Sequence, residues 1–197
     1  MAGADLIVLG EHVDYWDSAK WKDRFSSSQF SDRQQQYTSK YHLNGVYTPQ
    51  LVVDGTFGFT GSDVNKTSSA IAKAMLEVKI PIAISNVARN GDRIAARIEW
   101  SESSGAAKGR RGVLFVAIAD SSAESQVAGG ENRGRSLSHV AVTRVLKQTG
   151  AVDLDRASAR DITLAVHPGV GANGLRLIAF VQDPKSGHIL GVAARKP

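Results

Sequence analysis

The sequence has no cysteine in 197 residues, and this absence excludes more chemistry than any motif includes. Without a thiol there is no disulfide, no thiolate metal site and no Cys nucleophile, so thiol redox and Cys-hydrolase readings are closed to this chain. No stretch approaches the roughly 18 consecutive apolar residues of a membrane-spanning helix. The opening MAGADLIVLGEH is too short and too acidic for a secretory leader. A charge excess of either sign along one segment is also missing. The 24 Lys and Arg are scattered against 19 Asp and Glu, and the net +5 reads as solubility, with no nucleic-acid partner implied. What is present, 42% hydrophobic and 22% charged residues, is the composition of a chain that folds into one or two domains.

The pattern changes near residue 79, which divides the chain into 1–79 and 80–197. In the first part Asp5–Gly10 (DLIVLG) is a continuous apolar run of the kind found in a buried parallel strand. Ser31 followed by Gln34 fits a capping box, and the polar run Asp32–Tyr41 lacks helix breakers, which predicts a helix. Gln50–Asp54 (QLVVD) predicts a second apolar strand, and Gly55–Gly61 a turn and a short third one. Val64, Ser68, Ile71, Met75 and Val78 recur at helical spacing and predict an amphipathic helix over Asp63–Glu77, with Ser62 placed to cap it.

From residue 80 the chain offers only short strands: Ile80–Asn86, Arg93–Glu102, Gly112–Asp120, Val140–Gln148, Ile162–His167, Leu175–Gln182 and His188–Ala194. In Arg93–Trp100 the side chains Ile94, Ala96, Ile98 and Trp100 alternate with Arg93 and Arg97, the mark of a strand with one buried face. Asn90-Gly91 and Lys185-Ser186-Gly187 are hairpin signals. Seven strands in this span predict an antiparallel sandwich of immunoglobulin-like type, with Ser121–Ser138 as a long loop or poorly paired edge.

The densest chemistry lies at Glu11–Asp17 (EHVDYWD). On an extended backbone His12, Asp14 and Trp16 point to one side. His12 with Asp14 offers a metal pair or a base with its orienting carboxylate. A hydrogen-bonded strand-to-loop corner is the favoured reading of the same two residues. His42, His139, His167 and His188 fall in other elements, so no metal is predicted, and no other cofactor either. Thr48-Pro49 precedes a strand, where proline cannot donate to the ladder. On base rates alone that bond is trans. Asn132-Arg133-Gly134-Arg135 lacks the strand-then-helix context of a phosphate cradle.

The blocks HVDYWD (His12–Asp17), WKDRF (Trp21–Phe25), RQQQY (Arg33–Tyr37) and YTPQLVVDG (Tyr47–Gly55) resemble, in order, a bacterial secreted, thioredoxin-like family of uncharacterised function. GENRGRSLSHV (Gly130–Val140) and FVQDPKSGHILGVA (Phe180–Ala193) are similar to its C-terminal domain. The resemblance implies an α/β thioredoxin-like domain with Thr48-Pro49 as its cis-proline loop, followed by an all-β immunoglobulin-like sandwich, and export to the periplasm. The family's signal peptide, first strand and Cys-x-x-Cys segment would precede the point where this chain starts, so the α/β domain is expected to be N-terminally truncated.

These residues support three functional readings. The first is a catalytically silent relative of a cell-envelope thiol-disulfide protein. The second is a redox-dead module that takes an extended peptide or protein partner at Thr48 and Pro49, with His12, Asp14 and Trp16 flanking the site. The third, least favoured, is a His12/Asp14 hydrolase or metal enzyme. With its first strand absent, the resemblance also implies self-association through the unpaired edges of Asp5–Gly10 and Gln50–Asp54.

Overall fold

The structure is a computed structural model and describes residues 5–103, 111–129, 133–167, 170 and 174–196. Helix α1 (Ser28–Lys40) is followed by strands β1 (Gln50–Val53) and β2 (Phe57–Thr60), helix α2 (Val64–Ala74) and seven strands. These are β3 (Ile82–Asn90), β4 (Arg93–Trp100), β5 (Arg111–Gln126), β6 (Ser136–Asp153), β7 (Ser158–Ala165), β8 (Leu175–Gln182) and β9 (Ile189–Arg195). A three-stranded sheet, β3-β4-β7, faces a four-stranded sheet, β6-β5-β8-β9, and all of their pairings are antiparallel. Ile84, Ile94, Ile98 and Leu164 from one sheet and Leu114, Val116, Leu177 and Val181 from the other fill a common core. Burial on alternate positions of β4 is what its sequence pattern requires.

The expected architecture, a thioredoxin-like α/β domain followed by an immunoglobulin-like sandwich, is corrected by this arrangement. The described chain is mostly β, with two helices of 13 and 11 residues and no parallel sheet. Asp5–Gly10 does not form the expected buried strand. Its pairing is a single parallel bridge from Gly10 to Val142, in which the Gly10 N–H donates to Ala141 O at 2.7 Å and Gly10 O accepts from the Thr143 N–H at 2.9 Å. A Cβ on Gly10 would sit 3.1 Å from Val140 O, so only glycine approaches this edge without displacement. Ile7 and Leu9 pack inward, whereas Leu6 and Val8 stay 51% and 49% exposed. The run is continuous in sequence but buries one face only.

Ser121–Ser138 is corrected as well. Within it β5 runs on to Gln126 and β6 starts at Ser136, and the two pair in register from Ser122↔Val140 to Gln126↔Ser136. Its small polar residues suggest a loop by propensity, yet Ala123, Ser125 and Val127 are buried while Ser122, Glu124 and Gln126 are exposed. Gly130 and Asn132 lie outside the described residues. The neighbouring turn is closed by Gly134 N–H to Val127 O at 2.7 Å, with Gly134 at φ +80.

Helix α1 begins before the predicted Asp32. Ser27 is its N-cap and accepts from the Gln29 N–H. The earlier start places Phe30 in a cluster with Ala117, Ala119, Leu146, Ile178 and Phe180, so α1 rides on the outer face of the four-stranded sheet. The edge of β6 is covered piecewise: Gln29 Nε2 donates to Leu146 O (2.8 Å), and Arg160 donates to Thr149 O (2.7 Å) and Ala151 O (3.0 Å). Among the described residues no helix is long and apolar enough to cross a membrane.

Candidate functional site

The five residues singled out from sequence separate into three places. Trp16, Thr48 and Pro49 come together at the surface. Trp16 is 66% exposed, its indole Nε1 donates to Thr48 Oγ1 at 3.2 Å, and the Thr48-Pro49 bond is cis. The ledge is held from below by α1: the Tyr15 hydroxyl donates to Gln34 Oε1 (2.9 Å) and Gln34 Nε2 donates to Tyr47 O (2.7 Å). One buried amide thus fixes both halves of the ledge. His12 and Asp14 turn elsewhere, and they do not bond each other. Asp14 receives the Ser31 hydroxyl at 2.6 Å, while the Asp14 N–H donates to Ser31 Oγ at 3.0 Å.

His12 joins a second cluster. Its Nδ1 lies 2.6 Å from Asp23 Oδ2, and its ring meets His139 edge-on at 4.8 Å between centroids. His139 Nε2 is 2.8 Å from Ser125 Oγ, and Phe25 packs against both imidazoles. Burial holds the His139 pKa below the ordinary histidine range and His12 adds to this, with Asp23 pulling the other way. Burial pushes the Asp23 carboxyl up, but hydrogen bonds from His12 and the Phe25 N–H prevail and leave it low. Ser125 is buried at 4% exposure, which closes it to substrate. Among the described residues no group of three or more His, Cys, Asp or Glu is placed to hold a metal ion. A shallow depression of about 420 Å³ beside β6 and β7 carries Arg144, Lys147 and His167. Arg144 there is already paired with Asp120 at 3.3 Å, so its charge is not aimed into the depression.

The ledge continues into β1, whose geometry decides what it can do. Gly61 N–H donates to Pro49 O at 2.8 Å, and the register pairs Leu51 with Phe59 and Val53 with Phe57. Hydrogen-bonded pairs alternate along an antiparallel ladder, so Pro49, Leu51 and Val53 point their backbone groups at β2. Gln50 and Val52 therefore turn theirs away. Among the described residues no strand pairs with Gln50 or Val52 on that edge, which ends at Asp54, whose O accepts from the Ile189 N–H at 3.0 Å. The hairpin lies between the helices. A Cβ on Gly58, opposite Val52, would overlap the Tyr41 ring at the end of α1, whereas Lys73 of α2 sits 5.8 Å over Phe57. Gln50 and Val52 thus face α1, and Leu51, Val53 and Phe57 face α2.

Sequence reading alone missed Gln34, Asp23 and His139. Gln34 was visible only as a capping residue, and the meeting of His12 with His139 depends on the bridge between Gly10 and β6, which no local pattern encodes.

Among solved structures, protein AGR_C_4864 from Agrobacterium tumefaciens is similar in fold: 94% of this chain aligns with 78% of that one at a TM-score of 0.64 and 22% identity. A DUF3823 family protein from Bacteroides ovatus aligns over 58% of this chain and 55% of its own, at a TM-score of 0.35 and 16% identity. No curated protein matches the chain. Residues 1–182 match the family described as protein of unknown function (DUF1223), and the chain belongs to that family.

Proposed function

We propose that this protein is a non-enzymatic binding module that takes an extended peptide segment along the outer edge of β1, beside Trp16, Thr48 and Pro49. The observation that carries this reading is the direction of the Gln50 and Val52 backbone groups, which leave β2 and meet no other strand among the described residues. Such an edge supplies affinity through main-chain hydrogen bonds, and neighbouring side chains supply selectivity. Trp16 supplies a rigid aromatic surface at the end of the edge, of the kind enriched where binding energy concentrates. A binding role also agrees with a chain that has no cysteine.

Phage display of random dodecapeptides against the whole protein, with fluorescence anisotropy of the selected peptides, tests the reading. Val52→Pro deletes an outward N–H without removing a β1–β2 bond. It should raise Kd at least tenfold, as should Trp16→Ala, with the melting temperature held. Failure to select any peptide, or affinity indifferent to both substitutions, would overturn the proposal.

A further inference from the structure

Among the described residues the Asn-Gly dipeptide occurs at Asn44-Gly45 and at Asn90-Gly91, and both are exposed, so solvent reaches each alike. Their backbones are held very differently. Asn90 ends β3 in register with Arg93, and the turn after it is pinned: Gly91, at φ +58, accepts from Arg89 Nε at 3.5 Å, and Asp92 O accepts from the Val166 N–H at 2.6 Å. Asn44-Gly45 lies in the link between α1 and β1. That link is anchored before the dipeptide by the Leu43 N–H on Thr38 O (3.0 Å) and after it by Tyr47 O, which accepts from Gln34 Nε2 (2.7 Å). Between the two anchors no hydrogen bond with another described residue holds the Asn44 side chain or the Gly45 N–H. A Cβ on Gly45 would meet nothing within 4 Å, and its φ lies outside the left-handed region.

We infer that Asn44-Gly45 is a self-modification site, at which the fold permits succinimide formation, and that the fold protects Asn90-Gly91 from the same reaction. The Gly45 backbone nitrogen attacks Asn44 Cγ and a new C–N bond forms. The Cγ–Nδ2 bond breaks, the Gly45 amide proton passes through solvent to the departing nitrogen, and ammonia leaves. Water then adds to either imide carbonyl. Opening between Cγ and the Gly45 nitrogen gives aspartate; opening at the main-chain carbonyl gives isoaspartate, in which the chain runs through the former side chain. Overall the side-chain amide and water become a carboxylic acid and ammonia. Ring closure requires the asparagine ψ to leave the extended value that a ladder imposes, so Asn90 must first give up its pairing with Arg93. Asn44 has no such bond to break. Glycine is the favourable following residue because it brings no Cβ to crowd the attacking nitrogen. Either product places a negative charge on the link to the Tyr47-Thr48-Pro49 ledge, and isoaspartate also lengthens the backbone of that link.

The whole protein is incubated in mildly alkaline buffer, digested briefly at mildly acidic pH, and mapped by mass spectrometry with fragmentation that separates asparagine, aspartate and isoaspartate at each position. Asn44 is expected to convert about tenfold faster than Asn90, the rate equivalent of about one hydrogen bond added to the barrier at Asn90. In denaturing urea the two rates should converge, because the hairpin no longer holds Asn90. Gly45→Ala, which the open space around Gly45 admits, should slow conversion at Asn44 about tenfold with the melting temperature held. Equal rates in the folded protein, or faster conversion at Asn90, would overturn the inference. A preference for Asn44 that persists undiminished in urea would do the same, since it would then come from the neighbouring residues and not from the fold. Conversion unaffected by Gly45→Ala would rule out attack by the nitrogen of residue 45.

Discussion

Lys79 and Asp54 form a two-pronged ion pair, with Nζ 2.7 and 2.6 Å from the two carboxylate oxygens. Lys79 Nζ also donates to Ile189 O (2.6 Å) and lies 3.0 Å from His188 Nε2, which ties the β1–β2 turn to the start of β9. The Asp54 side chain is only 9% exposed. Lys79→Met removes the lysine partner of that carboxylate, leaving His188 Nε2 at 2.9 Å from Asp54 Oδ2, and is expected to cost about 2 kcal/mol in urea unfolding. Asp54→Asn keeps a residue that tolerates the positive φ of 55 at this position. The double variant should be less destabilised than the sum of the two singles, and strict additivity would mean the pair is not coupled.

The cluster at His139 sets a pH dependence. Its folded pKa is depressed, first by burial and then by His12, so the unfolded chain binds the proton more readily. Its contribution to stability is therefore present above the unfolded value near 6.5 and is lost as pH falls through the folded value. Asp23 is likewise depressed and acts in a lower window, below its ordinary 3.8. Thermal melts should show a midpoint that falls as pH drops below about 6.5, and the slope in that window should flatten in His139→Gln. An unchanged slope in the variant would assign the effect elsewhere.

Gly58 is required by close approach. A Cβ there would overlap the Tyr41 ring, which is itself stacked on Tyr37 at 5.9 Å and so has little room to yield. Gly58→Ala should destabilise by about 1–3 kcal/mol. Much of the loss should be recovered when Tyr41→Leu is combined with it. A double variant no more stable than Gly58→Ala alone would place the strain outside this contact.

Arg33 is fixed by a fork that lysine cannot copy. Its guanidinium reaches Glu11 (3.3 Å), Gln182 (3.3 Å) and Tyr37 (3.1 Å) while lying over the rings of Phe115 and Phe180 at 5.3 and 5.6 Å. Burial raises the Glu11 pKa and Arg33 opposes it. Arg33→Lys keeps the charge but should cost about 2 kcal/mol in chemical denaturation, because two of the three contacts and the stacking are lost. A loss within about 0.5 kcal/mol, the range of ordinary surface substitutions, would contradict this account.

Local patterning was legible wherever one face of a strand is buried. Ile94, Ala96, Ile98 and Trp100 are all in the core, and the Asn90-Gly91 signal lies at the β3–β4 turn, with Gly91 at φ +58. The cis bond at Thr48-Pro49 was implied by family resemblance and not by residue statistics. What the sequence hid is non-local. The α/β expectation leaned on an apolar run, Asp5–Gly10, whose partner is β6, more than 130 positions away. Ser31 and Gln34 fit a capping box, yet α1 starts at Ser28 behind the Ser27 cap, where burial of Phe30 against the sheet holds the extra turn. Of the candidate site, Trp16, Thr48 and Pro49 gather at one surface. The destination of His12 depended on the same distant pairing of Gly10.

That pairing also orders assembly in time. The side of α1 that carries Phe30 and Arg33 docks on Phe115, Phe180 and Gln182. Gly10 closes on residues 141 and 143. During synthesis the first forty residues are made well before the surfaces that cover them, and loop closure of this length is slow. The amino-terminal third must wait, with Ile7, Leu9 and Phe30 uncovered, until β8 has left the ribosome. Late burial of these apolar side chains is thus a property of the topology.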